Sequence, residues 1–85
     1  MKPEFVTDNF LHPEATAMAC PHCGEANVHP VVGRVETHET DGYTCPLDTR
    51  GDWVAIPFWC EMSCPPFRLV IGFHKGNTFV GTVAP

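Results

Sequence analysis

The chain has 85 residues, among them five cysteines, nine prolines and seven glycines, with 18% of the side chains charged. A core of that size contributes only about a few kcal/mol beyond the entropy of ordering the backbone, so a staple of some kind is expected. The mixture describes one loop-rich, β-leaning domain and excludes a helical bundle or a disordered tail, while a formal net charge of -5 disfavours stand-alone binding to nucleic acid or to anionic membranes.

Residues 1–19 are an N-terminal arm in which Phe5, Val6, Phe10 and Leu11 are apolar positions without a sustained period. Pro13 followed by Glu14-Ala15-Thr16-Ala17-Met18 predicts one helical turn with proline at its first position. Ala17-Met18-Ala19-Cys20 imitates a lipoprotein cleavage site, but Asp8, His12, Pro13 and Glu14 interrupt the apolar run of about 7–15 residues that a secretory signal needs. No stretch reaches the roughly 18 consecutive apolar residues of a membrane span. A cytoplasmic chain with no membrane partner is the expectation, and a reducing compartment sends paired cysteines to metal rather than to disulfides.

Residues 20–85 form the domain proper. From Val28 to Thr37 the β-branched residues Val31, Val32, Val35 and Thr37 predict a first strand, its start confined to a sheet edge by Pro30. Residues 38–51 are a polar connecting loop with a tight turn at Asp41-Gly42. Trp53 to Trp59 predicts a second strand, with Val54, Ile56 and Phe58 on one face and Trp53, Ala55, Pro57 and Trp59 on the other. Phe67 to His74 alternates most clearly, and Thr78 to Val83 returns as its partner. Between them Lys75-Gly76-Asn77 is a hairpin turn, with Gly76 and then Asn77 as the residues suited to positive φ.

Cys20-Pro21-His22-Cys23-Gly24 is the most informative segment. Two thiolates separated by two residues bind one metal from a tight turn, and Gly24 permits the chain to reverse. Cys60-Glu61-Met62-Ser63-Cys64 supplies a second pair beside the end of the second strand and the start of the third. Two turns at one end of a small sheet then bring Cys20, Cys23, Cys60 and Cys64 within about 2.3 Å of a single Zn²⁺. Binding and folding become one event, worth on the order of 10–16 kcal/mol if the site behaves like a zinc-finger peptide.

These knuckles resemble the zinc-ribbon family and, more loosely, the rubredoxin-like group, over roughly residues 18–83. The resemblance implies a small β-rich zinc ribbon with a three- to four-stranded antiparallel sheet, two zinc knuckles and one structural zinc. Pro57-Phe58-Trp59-Cys60 and His74-Lys75-Gly76-Asn77-Thr78 are also similar to small uncharacterised bacterial or phage zinc ribbons. The second knuckle departs from the family: three residues separate Cys60 from Cys64, and Pro65-Pro66 stand where a glycine is usual, removing two backbone donors. Cys45, His22 and His74 are the alternatives for one ligand of that pair.

Cys-Pro-His-Cys also occurs in thiol–disulfide oxidoreductases, but those place it at a helix start in a longer βαβ framework. Trp53, Trp59, Arg68, His74 and Lys75 are the candidate interaction surface, an aromatic and basic set of the kind that stacks on single strands. In so small a domain tryptophans more commonly complete the core. Glu36, Glu39, Asp41, Asp48 and Asp52 are read as solvated loop carboxylates, Arg50-Gly51-Asp52 as turn chemistry, and Cys45 as a free thiol beside a turn. A closed tetrathiolate site leaves no position for water, so no catalytic residue and no enzyme is expected. The expected function is a structural zinc-binding module mediating protein–protein interaction, with a nucleic-acid-associated zinc ribbon as the alternative and a rubredoxin-like electron carrier behind it.

Overall fold

A computed structural model describes residues 1–6 and 16–85, and no α-helix occurs among them. The strands are β1 (Glu4–Val6), β2 (Ala17–Ala19), β3 (Val28–Pro30), β4 (Glu36–His38), β5 (Trp53–Cys60), β6 (Phe67–His74) and β7 (Asn77–Val83). All pairings are antiparallel. β1 and β2 make a two-stranded ribbon, while the other five form one sheet in which β3 and β4 share the same edge of β5, followed by β6 and β7.

The central three strands follow directly from their alternation. β5 and β6 are long β-branched and aromatic runs that pair from Trp53↔Gly72 to Phe58↔Phe67. β6 and β7 pair from His74↔Asn77 to Arg68↔Val83, closed by a two-residue turn in which Lys75 (φ 51°) and Gly76 (φ 80°) both take positive φ. Two positive φ values in succession match the right-handed twist of the strands. The second positive-φ residue is therefore Lys75 rather than Asn77, which already belongs to β7.

The expected first strand is interrupted. Pro30 pairs with Phe58 and Glu36 with Ala55, so residues 31–35 span a gap of only two residues on β5 and fold into a 3₁₀ turn at Val32–Arg34. Pro57 explains the break. Its carbonyl accepts the Val31 N–H at 2.8 Å, so its own missing N–H faces the same edge and a continuous ladder has no donor there.

The arm also differs from expectation. Ala17 and Met18, expected in a helical turn, are extended and pair with Val6 and Phe5; residues 13–15 of that expected turn lie outside the described residues. At the far edge of the sheet the Met1 ammonium donates to the Thr82 carbonyl at 2.8 Å, and the Thr82 N–H returns to the Met1 carbonyl at 2.7 Å. This contact covers one end of the exposed β7 edge.

One sheet face is covered by the polar loop itself. Cys45, Trp53, Ala55 and Val70 form the buried cluster, with Leu47 and Val83 packed against it. Trp53 is 6% exposed and donates Nε1–H to Thr44 Oγ1 at 3.0 Å. The loop lies close enough that a methyl group added at Gly72 would sit 2.5 Å from Thr49 Oγ1 and 3.1 Å from Cys45 Sγ. Gly72→Ala is accordingly expected to destabilise the fold by about 1–3 kcal/mol through overpacking, read as a lower urea midpoint with an unchanged slope.

The opposite face is apolar and partly open. Val54, Ile56, Leu69, Ile71, Phe73 and Val80 share it by register, and Phe73 and Val80 are 45% and 41% exposed. The residues paired across this face carry no charge among those described.

Candidate metal centre

Strand pairing delivers the two cysteine turns to one place. Cys20 follows β2 directly, and the chain leaving Cys23 enters β3, where Val28 pairs with Cys60 at the end of β5. The Glu61 N–H donates to the Asn27 carbonyl at 2.9 Å, fastening the second turn to the approach of the first. His29 adds a side-chain tie: its ring stacks on Trp59 at 4.4 Å, and its Nε2 lies 2.9 Å from Glu61 Oε1. Cys64 sits in the connection to β6, whose Phe67 pairs with Phe58.

The first turn is closed by Gly24 N–H to the Cys20 carbonyl at 2.9 Å and by Cys20 N–H to the Glu25 carbonyl at 2.9 Å. Gly24 has φ 77°, a conformation that a side chain would strain. The His22 N–H points at Cys20 Sγ at 3.4 Å. In the second turn the Met62 N–H meets Cys60 Sγ, also at 3.4 Å, and Ser63 N–H donates to the Cys60 carbonyl at 3.2 Å. Ser63, at φ 62°, reverses the chain before Cys64. The extra residue is thus absorbed inside the turn, and Met62 supplies a sulfur-directed donor ahead of the donor-free Pro65-Pro66.

The four sulfurs of Cys20, Cys23, Cys60 and Cys64 all lie within 4.8 Å of one another. Cys23 Sγ and Cys60 Sγ are 3.8 Å apart, the edge of a tetrahedron whose centre is about 2.3 Å from each sulfur. Cys20 and Cys60 are buried, Cys64 is half-buried and Cys23 exposed. Four cysteines are therefore positioned to bind a metal ion.

The thiols of Cys20, Cys23 and Cys64 hold their protons unequally. Burial pushes the Cys20 thiol up, but the backbone N–H groups of Cys23 and His22 and the thiols of Cys60 and Cys23 outweigh it and hold Cys20 at about 7 rather than 9.0. Cys64 is pushed up to about 12 by burial, by the thiols of Cys23, Cys60 and Cys20, and by the charge on Cys20. The Glu25 backbone favours the Cys23 thiolate, yet desolvation and the Cys20 and Cys60 thiols leave it raised overall. One negative charge is welcome and the next are resisted, an imbalance that a divalent ion removes.

Among the described residues, none of the alternative ligands joins the cluster of four sulfurs. Cys45 is buried with Trp53, Ala55 and Val70, His22 is exposed, and His74 Nδ1 accepts the Arg50 N–H at 3.0 Å at the opposite end of β6. The candidate interaction residues do not form one patch. Trp53 is in the core with His38 stacked on it at 3.9 Å, whereas Trp59 is 48% exposed beside the cysteines. Arg68 Nη1 lies 3.6 Å from Glu36 Oε2, His74 ends β6 and Lys75 belongs to the β6–β7 turn. Sequence reasoning missed His29 and Glu61 as supports of the second turn, because their meeting depends on the β3–β5 register. No helix among the described residues is long and apolar enough to cross a membrane. No family model, curated protein or solved structure matches the chain.

Proposed function

We propose that the chain is a structural zinc-binding module of zinc-ribbon type, without catalytic activity, whose partner is another protein. The observation that carries this reading is the convergence of four thiol sulfurs within 4.8 Å. Two observations support zinc over rubredoxin-like iron electron transfer: the second turn lacks the Cys-Pro-x-Cys-Gly form, and Pro65-Pro66 offer no backbone donor after Cys64. A fully coordinated tetrathiolate ion has no open position for substrate or water, which supports a non-enzymatic role. The protein-binding part is supported by the uncharged, partly open sheet face with Phe73 and Val80. Association through such a face weakens only modestly with added salt, whereas binding to a nucleic-acid strand falls steeply.

The test is metal analysis with thiol counting on protein purified without added metal. One zinc per chain with Cys20, Cys23, Cys60 and Cys64 protected and Cys45 separately assayed supports the proposal; metal-free, folded protein overturns it. Proton release gives an independent readout. A raised thiol pKa means that the proton is held at neutral pH, as for Cys23 and Cys64, while Cys20 at about 7 is only partly protonated there. Zinc binding at pH 7 is expected to release more than two protons per ion, seen by calorimetry in buffers of different ionisation enthalpy. Acidification reverses this, so zinc affinity falls as pH drops through 7.

A further inference from the structure

The end of the sheet remote from the cysteines carries a second concave feature, a cleft of ≈ 500 Å³ between the polar loop and the β6–β7 turn. β6 separates it from the cysteine cluster by about 24 Å, seven strand rises. Tyr43, Arg50, His74 and Lys75 line it together with Asp41 and Asp52. Arg50 and Lys75 are two of the chain's five Lys and Arg residues, and among the described residues neither has a carboxylate partner.

Two of the side chains, Arg50 and His74, are held in place. The Arg50 N–H donates to His74 Nδ1 at 3.0 Å, so the neutral ring carries its proton on Nε2 and presents a donor there. Arg50 Nε donates to the Asp41 carbonyl at 2.8 Å, leaving its terminal nitrogens free for a second acceptor. Tyr43 is 67% exposed, with its ring tilted toward His74 at 6.1 Å. The Gly51 N–H to the Gly42 carbonyl, at 2.9 Å, closes the loop behind them.

We propose that this cleft binds a nucleoside 5′-phosphate whose base carries N–H donors. Such a ligand uses the tyrosine, the basic side chains and the carboxylates of the lining. Tyr43 offers a face for the base, Arg50, Lys75 and His74 Nε2–H bind the phosphate, and the Asp41 and Asp52 carboxylates accept hydrogen bonds from the base. The size suits a ligand of this class. Inorganic phosphate would leave the aromatic wall and the carboxylates unused. The same unit occurs free or within a single strand, and the chain's net charge of -5 favours the free nucleotide over a polyanion. Nothing here depends on the identity of the metal.

The test is a two-dimensional amide NMR titration of the full chain with guanosine 5′-monophosphate, guanosine, inorganic phosphate and a short single-stranded oligonucleotide. Guanosine 5′-monophosphate is expected to shift amides within residues 41–52 and 73–76 and to bind at least about tenfold more tightly than guanosine or phosphate alone. Tyr43→Ala and Arg50→Gln should each weaken binding about fivefold or more. Lys75→Asn, which tolerates the positive φ of that turn, should do the same in a chain with an unchanged spectrum elsewhere. Tighter, salt-sensitive binding of the oligonucleotide through the same residues assigns the ligand to a strand and upholds the site. Equal affinity for phosphate and nucleotide, shifts confined to other regions, or full affinity in Tyr43→Ala and Lys75→Asn overturns the proposal.

Discussion

Removing the metal with a strong chelator is expected to abolish the cooperative thermal transition and the near-ultraviolet signals of Trp53 and Trp59. The expected effect is large because a structural zinc site of this kind contributes on the order of 10–16 kcal/mol, whereas a core of this size supplies about 3–5 kcal/mol. Cys20→Ser and Cys60→Ser should behave like the stripped protein, since each removes a sulfur that is both buried and held by a backbone N–H. Cys45→Ser provides the contrast. It should retain one ion per chain and lose only about 1–3 kcal/mol, the cost of placing a hydroxyl among Trp53, Ala55 and Val70. Full zinc affinity in Cys60→Ser together with its loss in Cys45→Ser would overturn the ligand assignment. A chelated sample with an unaltered spectrum and melting temperature would remove the case for a structural metal.

Trp53→Ala should be the most damaging substitution away from the cysteines, costing about 3–5 kcal/mol. Trp53 is the largest member of the buried cluster, it is stacked by His38 at 3.9 Å, and its Nε1–H is satisfied by Thr44. Its removal opens a cavity under the polar loop and frees Thr44 from the sheet. Trp53→Phe should cost less, because it keeps an apolar ring and loses only part of the volume and the hydrogen bond to Thr44 Oγ1. Zinc stoichiometry measured in parallel separates the two ends of the molecule: the Trp53→Ala chain, where folded at low temperature, should still hold one ion. A Trp53→Ala protein as stable as the parent in urea would contradict the placement of the core on this face.

Much of this architecture is legible in the order of the residues alone. β5, β6 and β7 lie where alternation places them, and the β6–β7 turn falls at the short polar break between two apolar runs. The four cysteines that converge are the two close-spaced pairs, because a short turn between two thiols restricts them to one neighbourhood. These signals are local, carried by residues within a few positions of one another, and a strand period or a chelating turn needs no distant partner to be recognised.

The remainder depended on contacts between distant segments. Pro57 alone does not reveal that its empty backbone position faces residues 31–35, yet that choice of edge divides β3 from β4. The loop at 38–51 is polar in composition, but Cys45 and Leu47 are turned inward over Val70, which converts an apparent solvent loop into the cover of the core. Trp53 and Trp59 share a strand face and have opposite environments, because the loop covers the one and not the other. Sequence by itself thus determined β5, β6 and β7 and the two cysteine pairs that converge, through period and spacing. Only the tertiary structure decided which face is buried, where Cys45 goes and how Arg50 meets His74, since burial is a property of what packs against a residue rather than of the residue's neighbours along the chain.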